Sequence, residues 1–139
     1  MRATPLLRLV DAVTVAVPDL DAGLRFYADE LGHQLLWRHD AIGQAGLRLP
    51  DSETEIVLST RTAYAPNWLV TSVDEAVADI VAAGGRVVVG SVAIPVGRLA
   101  VVADPFGNEL VLLDLSAGRY RTDPAGNVVG LSSEPATPS

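Results

Sequence analysis

The chain has 139 residues, ten basic and 17 acidic, for a formal charge of −7, with 49% hydrophobic residues and no cysteine. That length suits one compact unit with a core of its own, and the lack of cysteine excludes disulfides, thiolate metal sites and a cysteine nucleophile. The acidic balance has the wrong sign for tracking a phosphate backbone, and the apolar runs stop near half of the roughly 20 residues a bilayer demands, so neither nucleic acid nor a membrane is an expected partner.

The N-terminal stretch is interrupted by Arg8 and Asp11 and no small-residue cleavage pattern follows, which reads as a cytoplasmic chain. From residue 10, "VDAVTVAV" alternates, with Val13, Val15 and Val17 on one face and Ala12, Thr14 and Ala16 on the other, the period of a strand. "PDLDAGLRFYADELG" then predicts a helix over about 21–31, with Asp19 as N-cap, Leu20, Leu24, Tyr27 and Leu31 at helical spacing, and Gly32 as the stop. Three β-rich stretches follow, "HQLLWRHD", "QAGLRLP" and "TEIVLST", separated by turn-forming "AIG" and "PDSE".

After "RTAYAPN" the same order restarts: "WLVTS" as a strand, "VDEAVADIVAAGG" as a helix, then "RVVVGSVAI", "RLAVVAD" and "ELVLLDL" as strands. Aligning Ala12 with Trp68 places Val17 over Val73 and gives an internal period of roughly 56 residues. The expected fold is therefore α+β: a single domain over 1–116 built from two βαβββ modules, about 8–63 and 64–116. Their curved mixed sheets would enclose a cleft, with helices outside. Residues 117–139 form an extension, with a hairpin expected at 119–130 around Pro-Ala-Gly-Asn and a frayed tail beyond it.

Within this pattern, "DAVTVAVPDLDAGLRFYADELGHQL", "AAGGRVVV" and "VADPFGNELVLLD" together resemble the vicinal oxygen chelate superfamily, which takes in glyoxalase I, extradiol dioxygenases and bleomycin-binding resistance proteins. The resemblance implies a divalent metal held by His or Glu on the first and last strands of each module. At those positions this sequence has Ala12, Val57, Trp68 and Val111, none of which offers a donor atom for a cation. A shift of two residues along the strands would bring in Glu55 and Glu109, with Thr14 and Ser72 as weak helpers, and keeps an alternative metal site open.

On this basis no cofactor and no metal are expected, and the expected function is metal-free binding of a small apolar or aromatic molecule, such as sequestration of an antibiotic or metabolite. Trp68 would stack on it, with Ala12, Thr14, Trp37, Val57 and Val111 as walls and Tyr64, Arg48 or Arg98 orienting a polar end. The alternatives are a lyase, isomerase or dioxygenase-like enzyme of the same superfamily, using an unconventional metal site or a metal-independent acid or base such as His39 or a glutamate, and a protein whose cleft is filled by its own side chains. His33, just after Gly32, reads as a helix-end residue. Many relatives pair, so a homodimer is expected.

Overall fold

The structure is a computed structural model that describes residues 4–132; the tail expected to fray lies largely outside them. It is an α+β chain of ten strands and two α-helices among the described residues. Two compact units emerge. Of the described residues, one comprises 11–66 with 120–130, and the other 4–10 and 67–119 with 131–132. They are called the first-module and second-module units below.

In the first-module unit, β1 (Leu9–Ala16) leads through Asp19 into α1 (Leu20–Leu24), and β2 (Leu35–His39), β3 (Gln44–Leu49) and β4 (Ser52–Ser59) follow. The strand order is β2-β3-β4-β1, antiparallel except for the parallel β4–β1 pair. Alternation decides the faces. Leu20 on α1, Ala45 and Leu47 on β3 and Leu58 on β4 form the buried core, with Val15, Val17, Leu24, Tyr27 and Ile56 packed against it. Burying such side chains stabilises by about 1.5–3 kcal/mol each, which is what holds the helix to this sheet face.

The helix expected over 21–31 is not one regular helix. Asp19 caps it as expected, accepting from the Ala22 N–H at 2.7 Å, but after Leu24 the chain continues as a π-helical segment, Arg25–Glu30. The wider turn, closed by Leu31 N–H to Phe26 O at 3.0 Å, lets adjacent Tyr27 and Ala28 both reach the core while Phe26 stays exposed.

The second-module unit repeats the plan with β5 (Ala65–Leu69), α2 (Val73–Ala82), β6 (Arg86–Ile94), β7 (Gly97–Ala103) and β8 (Glu109–Leu113). Its order is β6-β7-β8-β5, again with only β8–β5 parallel. Val73 and Ala76 of α2 cover Val70, Ala100, Val102 and Leu112, with Trp68 packed at the margin. Ser72 caps α2, its hydroxyl accepting from Glu75 N–H.

The capping residues fix the repeat at 53 residues, Asp19 to Ser72, and not at the 56 expected from matching Val17 to Val73. Backbone pairing agrees: Val17 N–H bonds Ser59 O, and Val70 N–H bonds Leu113 O, each at 2.9 Å. By this register Ala65 corresponds to Ala12, and Trp68 corresponds to core-facing Val15.

The edge strands differ. Outermost β6 leaves Val87, Val88, Val89 and Val92 exposed, and its pairing with β7 is irregular between Val87 and Val89 and between Val89 and Val92. β2, by contrast, is met by a C-terminal hairpin of β9 (Arg119–Thr122) and β10 (Val128–Ser132), through Arg38 N–H to Gly126 O at 2.8 Å. No described helix is long and apolar enough to cross a membrane.

Candidate functional site

On the sheet face of the first-module unit turned away from α1, the sequence places residues that a core face would not carry. Ala12, Thr14, Trp37, Gly46, Arg48, Glu55 and Val57 share it by strand alternation and register. Ala12 sits opposite Glu55, Thr14 opposite Val57, and Arg48 opposite Glu55 on the other side. Ala12, Thr14 and Val57 are buried, while Arg48 is exposed.

The centre of this face is a hydrogen bond from Trp37 Nε1 to Glu55 Oε1 at 2.7 Å. It links β2 to β4 across the intervening strand β3. Gly46 makes the crossing feasible: a Cβ there would collide with the Trp37 indole and lie 2.8 Å from Glu55 Oε1. Tyr120 of the hairpin packs on Trp37, with ring centroids 4.7 Å apart and planes tilted by 47°. The same ring meets His39 edge to face at 5.6 Å. Burial, reinforced by the negative charge of Glu55, pushes the Tyr120 hydroxyl up to about 12, so it stays protonated at any ordinary pH.

Beside this cluster is a depression of about 620 Å³ lined by Leu36, Arg48, Pro50, Glu53, Thr54 and Glu55. Glu55 is thus a carboxylate that accepts from an indole N–H, stands beside an aromatic wall and lines the depression. Such a group can accept or return a proton at a ligand carbon or oxygen.

The other residues predicted for a site are placed differently. Trp68 does not face outward from its sheet; it packs against the core cluster under α2, and its indole N–H is buried with no acceptor among the described residues. The three-residue error in the repeat produced that expectation. Arg98 turns to its own unit, donating from Nε to Ser91 Oγ at 2.6 Å and from Nη2 to Ser91 O at 3.1 Å, with Asp74 3.5 Å away. Tyr64 is 72% exposed. Val111 is half-buried and pairs with Asn67 and Val101. Glu109 opens β8, exposed and opposite Ala103. His33 bonds the Arg48 carbonyl through Nδ1 at 3.1 Å, tying the helix end to β3.

The positions that would carry metal ligands in the resembled superfamily are Ala12, Val57, Ala65 and Val111, all carbon side chains, and no group of three or more His, Cys, Asp or Glu converges among the described residues. This donor set does not fit a divalent cation.

In the second-module unit the polar investment is elsewhere. Buried Asp114, just after β8, accepts from Val73 N–H at 2.9 Å, Arg98 N–H at 3.0 Å, and Ser116 N–H and Oγ at 3.2 and 2.7 Å. Burial alone would raise its carboxyl, but these bonds, the Val73 N–H first, outweigh burial and hold it below the usual range. It locks the start of α2 to both neighbouring strands.

Nothing local marks Tyr120 as a neighbour of Trp37, although the turn of its hairpin is legible in the sequence. "DPFGN" at 104–108 recurs as "DPAGN" at 123–127, and the two turns are alike: Asp104 Oδ1 accepts from Phe106 and Asn108 N–H at 2.8 and 2.9 Å, and Asp123 Oδ1 from Ala125 and Asn127 N–H, both at 2.9 Å. Gly107 and Gly126 take φ of 92° and 91°, as the turn requires.

Comparison with known proteins bears on both fold and function. The sequence model of the Glyoxalase/Bleomycin resistance protein/Dioxygenase superfamily matches residues 9–112. No curated protein sequence matches the chain. Among solved structures, the methylmalonyl-CoA epimerase of Mycobacterium tuberculosis is similar at 25% identity, covering 82% of this chain and 92% of that one with a TM-score of 0.62. A Streptomyces coelicolor methylmalonyl-CoA epimerase variant in complex with 2-nitronate-propionyl-CoA aligns at 22% identity, 80% and 96% coverage and TM-score 0.62. A hypothetical protein from Bacillus halodurans aligns at 19% identity, 76% and 93% coverage and TM-score 0.62. The expectation of a metal-free sequestering protein is corrected here: the methylmalonyl-CoA epimerases among the similar structures are named as enzymes, and they favour the catalytic alternative.

Proposed function

The chain belongs to the glyoxalase/bleomycin resistance protein/dioxygenase superfamily, and from that premise we propose that it is an isomerase- or lyase-type enzyme that moves a proton at a carbon beside a carbonyl group. The observation that carries the proposal is the Trp37 Nε1 to Glu55 Oε1 bond at 2.7 Å, which orients a carboxylate beside an accessible depression. Support for the reaction class comes from the similarity to methylmalonyl-CoA epimerase at 25% identity.

The chemistry follows from what such a carboxylate can do. The Glu55 carboxylate takes the α-proton, and the C–H electron pair moves into the carbonyl to give an enolate. Arg48, opposite Glu55 in the β3–β4 register, supplies a guanidinium for the developing oxyanion. Return of a proton to the carbon completes an isomerisation with no net change in atoms or charge. No step is routed through a metal, because the residues present do not fit one. The substrate is a small acyl compound with an acidic α-C–H, and a thioester is the first to test. A cytoplasmic homodimer is the assembly we associate with this reading.

Proton exchange in deuterium oxide tests it. Methylmalonyl-CoA and a panel of acyl thioesters and α-substituted ketones, followed by proton NMR, should include at least one compound whose α-proton washes out with the enzyme and not with Glu55→Gln. Failure of every compound with folded protein would end the proposal.

A further inference from the structure

The superfamily match stops at residue 112, yet an aromatic ring packed against the Trp37–Glu55 pair comes from residue 120. We propose that the C-terminal hairpin is a working part of the active site, with Tyr120 as a positioning residue whose ring holds the Trp37 indole in the orientation that hydrogen-bonds Glu55. The inference rests on the reading of Glu55 as the proton-transfer group.

Several contacts make the hairpin a fixed support. Arg38 N–H donates to Gly126 O at 2.8 Å, and Arg38 pairs in a parallel bridge with Asn127. The Arg38 side chain is itself held, by Asp40 at 2.9 Å and Asp21 at 3.0 Å. The turn is rigidified from within, since Asp123 accepts two backbone N–H groups and Asp123 N–H bonds Asn127 O at 2.9 Å. So the ring of Tyr120 is set by a braced hairpin and not by a loose tail.

That support has something to do. Gly46 leaves a gap over β3, which lets the indole cross toward β4 but offers no side chain to hold it there. An indole with room on one side needs a wall on another, and the Tyr120 ring supplies it, with His39 bracing the ring edge to face. Ring contact, not the hydroxyl, is the active element. The hydroxyl is held protonated by burial and by Glu55, so it is not a base for the α-proton.

Two tryptophans make the test clean. In nitrogen-15-labelled protein the indole N–H signals are those of Trp37 and Trp68, and Trp68, packed in the other unit, is the internal control. Tyr120→Ala should speed solvent exchange of the Trp37 indole proton by about fivefold or more and shift its resonance, with Trp68 unmoved. Tyr120→Phe should restore wild-type behaviour. If Tyr120→Ala folds poorly, Tyr120→Leu, which keeps apolar bulk without the aromatic plane, is read in its place. On an active carbon acid, Tyr120→Ala should lower kcat about tenfold with KM changed less than threefold, and Tyr120→Phe should stay within twofold.

An unchanged Trp37 signal in a folded Tyr120→Ala or Tyr120→Leu protein overturns the proposal, as does a Tyr120→Phe variant as impaired as Tyr120→Ala. Because the NMR arm needs no substrate, a chain inert toward every carbon acid would sink the functional reading while still deciding whether the hairpin holds the indole.

Discussion

The two units share one strand order and differ in the row of residues that crosses the centre of the sheet. In the first-module unit that row reads Trp37, Gly46, Val57, Thr14; in the second-module unit it reads Val89, Val101, Val111, Asn67. Where one row has a large ring beside an absent side chain, the other has three valines abreast. The difference teaches how a repeated framework varies locally: the missing Cβ at Gly46 opens a lateral path for an indole, which reaches the carboxylate two residues along β4 from Val57. Glu109, the counterpart of Glu55, faces Ala103 and has no indole beside it.

The sharpest way to break the comparison is to remove the chemistry from one unit. Glu55→Gln should lower α-proton exchange about a hundredfold or more while shifting the melting temperature little, and rate assays beside thermal melts would show both. The second-module unit should respond the other way. Asp114→Ala leaves the N–H groups of Val73, Arg98 and Ser116 without their acceptor and should cost about 3 kcal/mol, or roughly 10 °C in melting temperature, with turnover per folded molecule preserved.

Giving the first row the residue of the second is a smaller and more pointed change. Gly46→Val should drive the Trp37 indole off Glu55 and reduce turnover about tenfold, visible as a red-shifted Trp37 emission. If emission and turnover both stay put, the gap at Gly46 has no role.

Titration should separate the units with the mildest effects of all. The carboxyl of Asp114 lies below its unfolded value, so its stabilisation is present above about pH 4 and is lost as pH falls through the lowered folded value. The Tyr120 hydroxyl is raised to about 12, so its contribution is present below about pH 10 and is lost as pH rises through about 12. Circular dichroism at both extremes should therefore show an acid limb weakened by Asp114→Asn and an alkaline limb flattened by Tyr120→Phe.

Much of the framework could be read from local pattern. Alternating Val13, Val15 and Val17 and the cap at Asp19 are each set by neighbours within a few residues, and the order of elements they begin gave the architecture, although the second module's first strand runs Ala65–Leu69 and starts before the expected Trp68. The repeat register failed because it was anchored on apolar residues, which are interchangeable, and not on the capping pair Asp19 and Ser72, which are geometrically unique. That slip put Trp68 on the wrong face. The partner of Trp37 was hidden from the sequence: the bond to Glu55 depends on strand register, a missing Cβ and a side-chain rotamer together. Tyr120 reaches Trp37 only through tertiary docking of a hairpin some 80 residues later in the chain.

The bare β6 edge has a practical consequence for handling this protein. Four exposed valines on a strand that pairs on one side only among the described residues make a sticky seam, which the two breaks in its pairing register blunt locally. The remaining safeguard is colloidal: a net charge of −7 keeps molecules apart at neutral pH, and it vanishes near the isoelectric point of about 4.6. Turbidity should rise steeply on concentrating the protein near that pH, and a single Val89→Lys exchange should push it back.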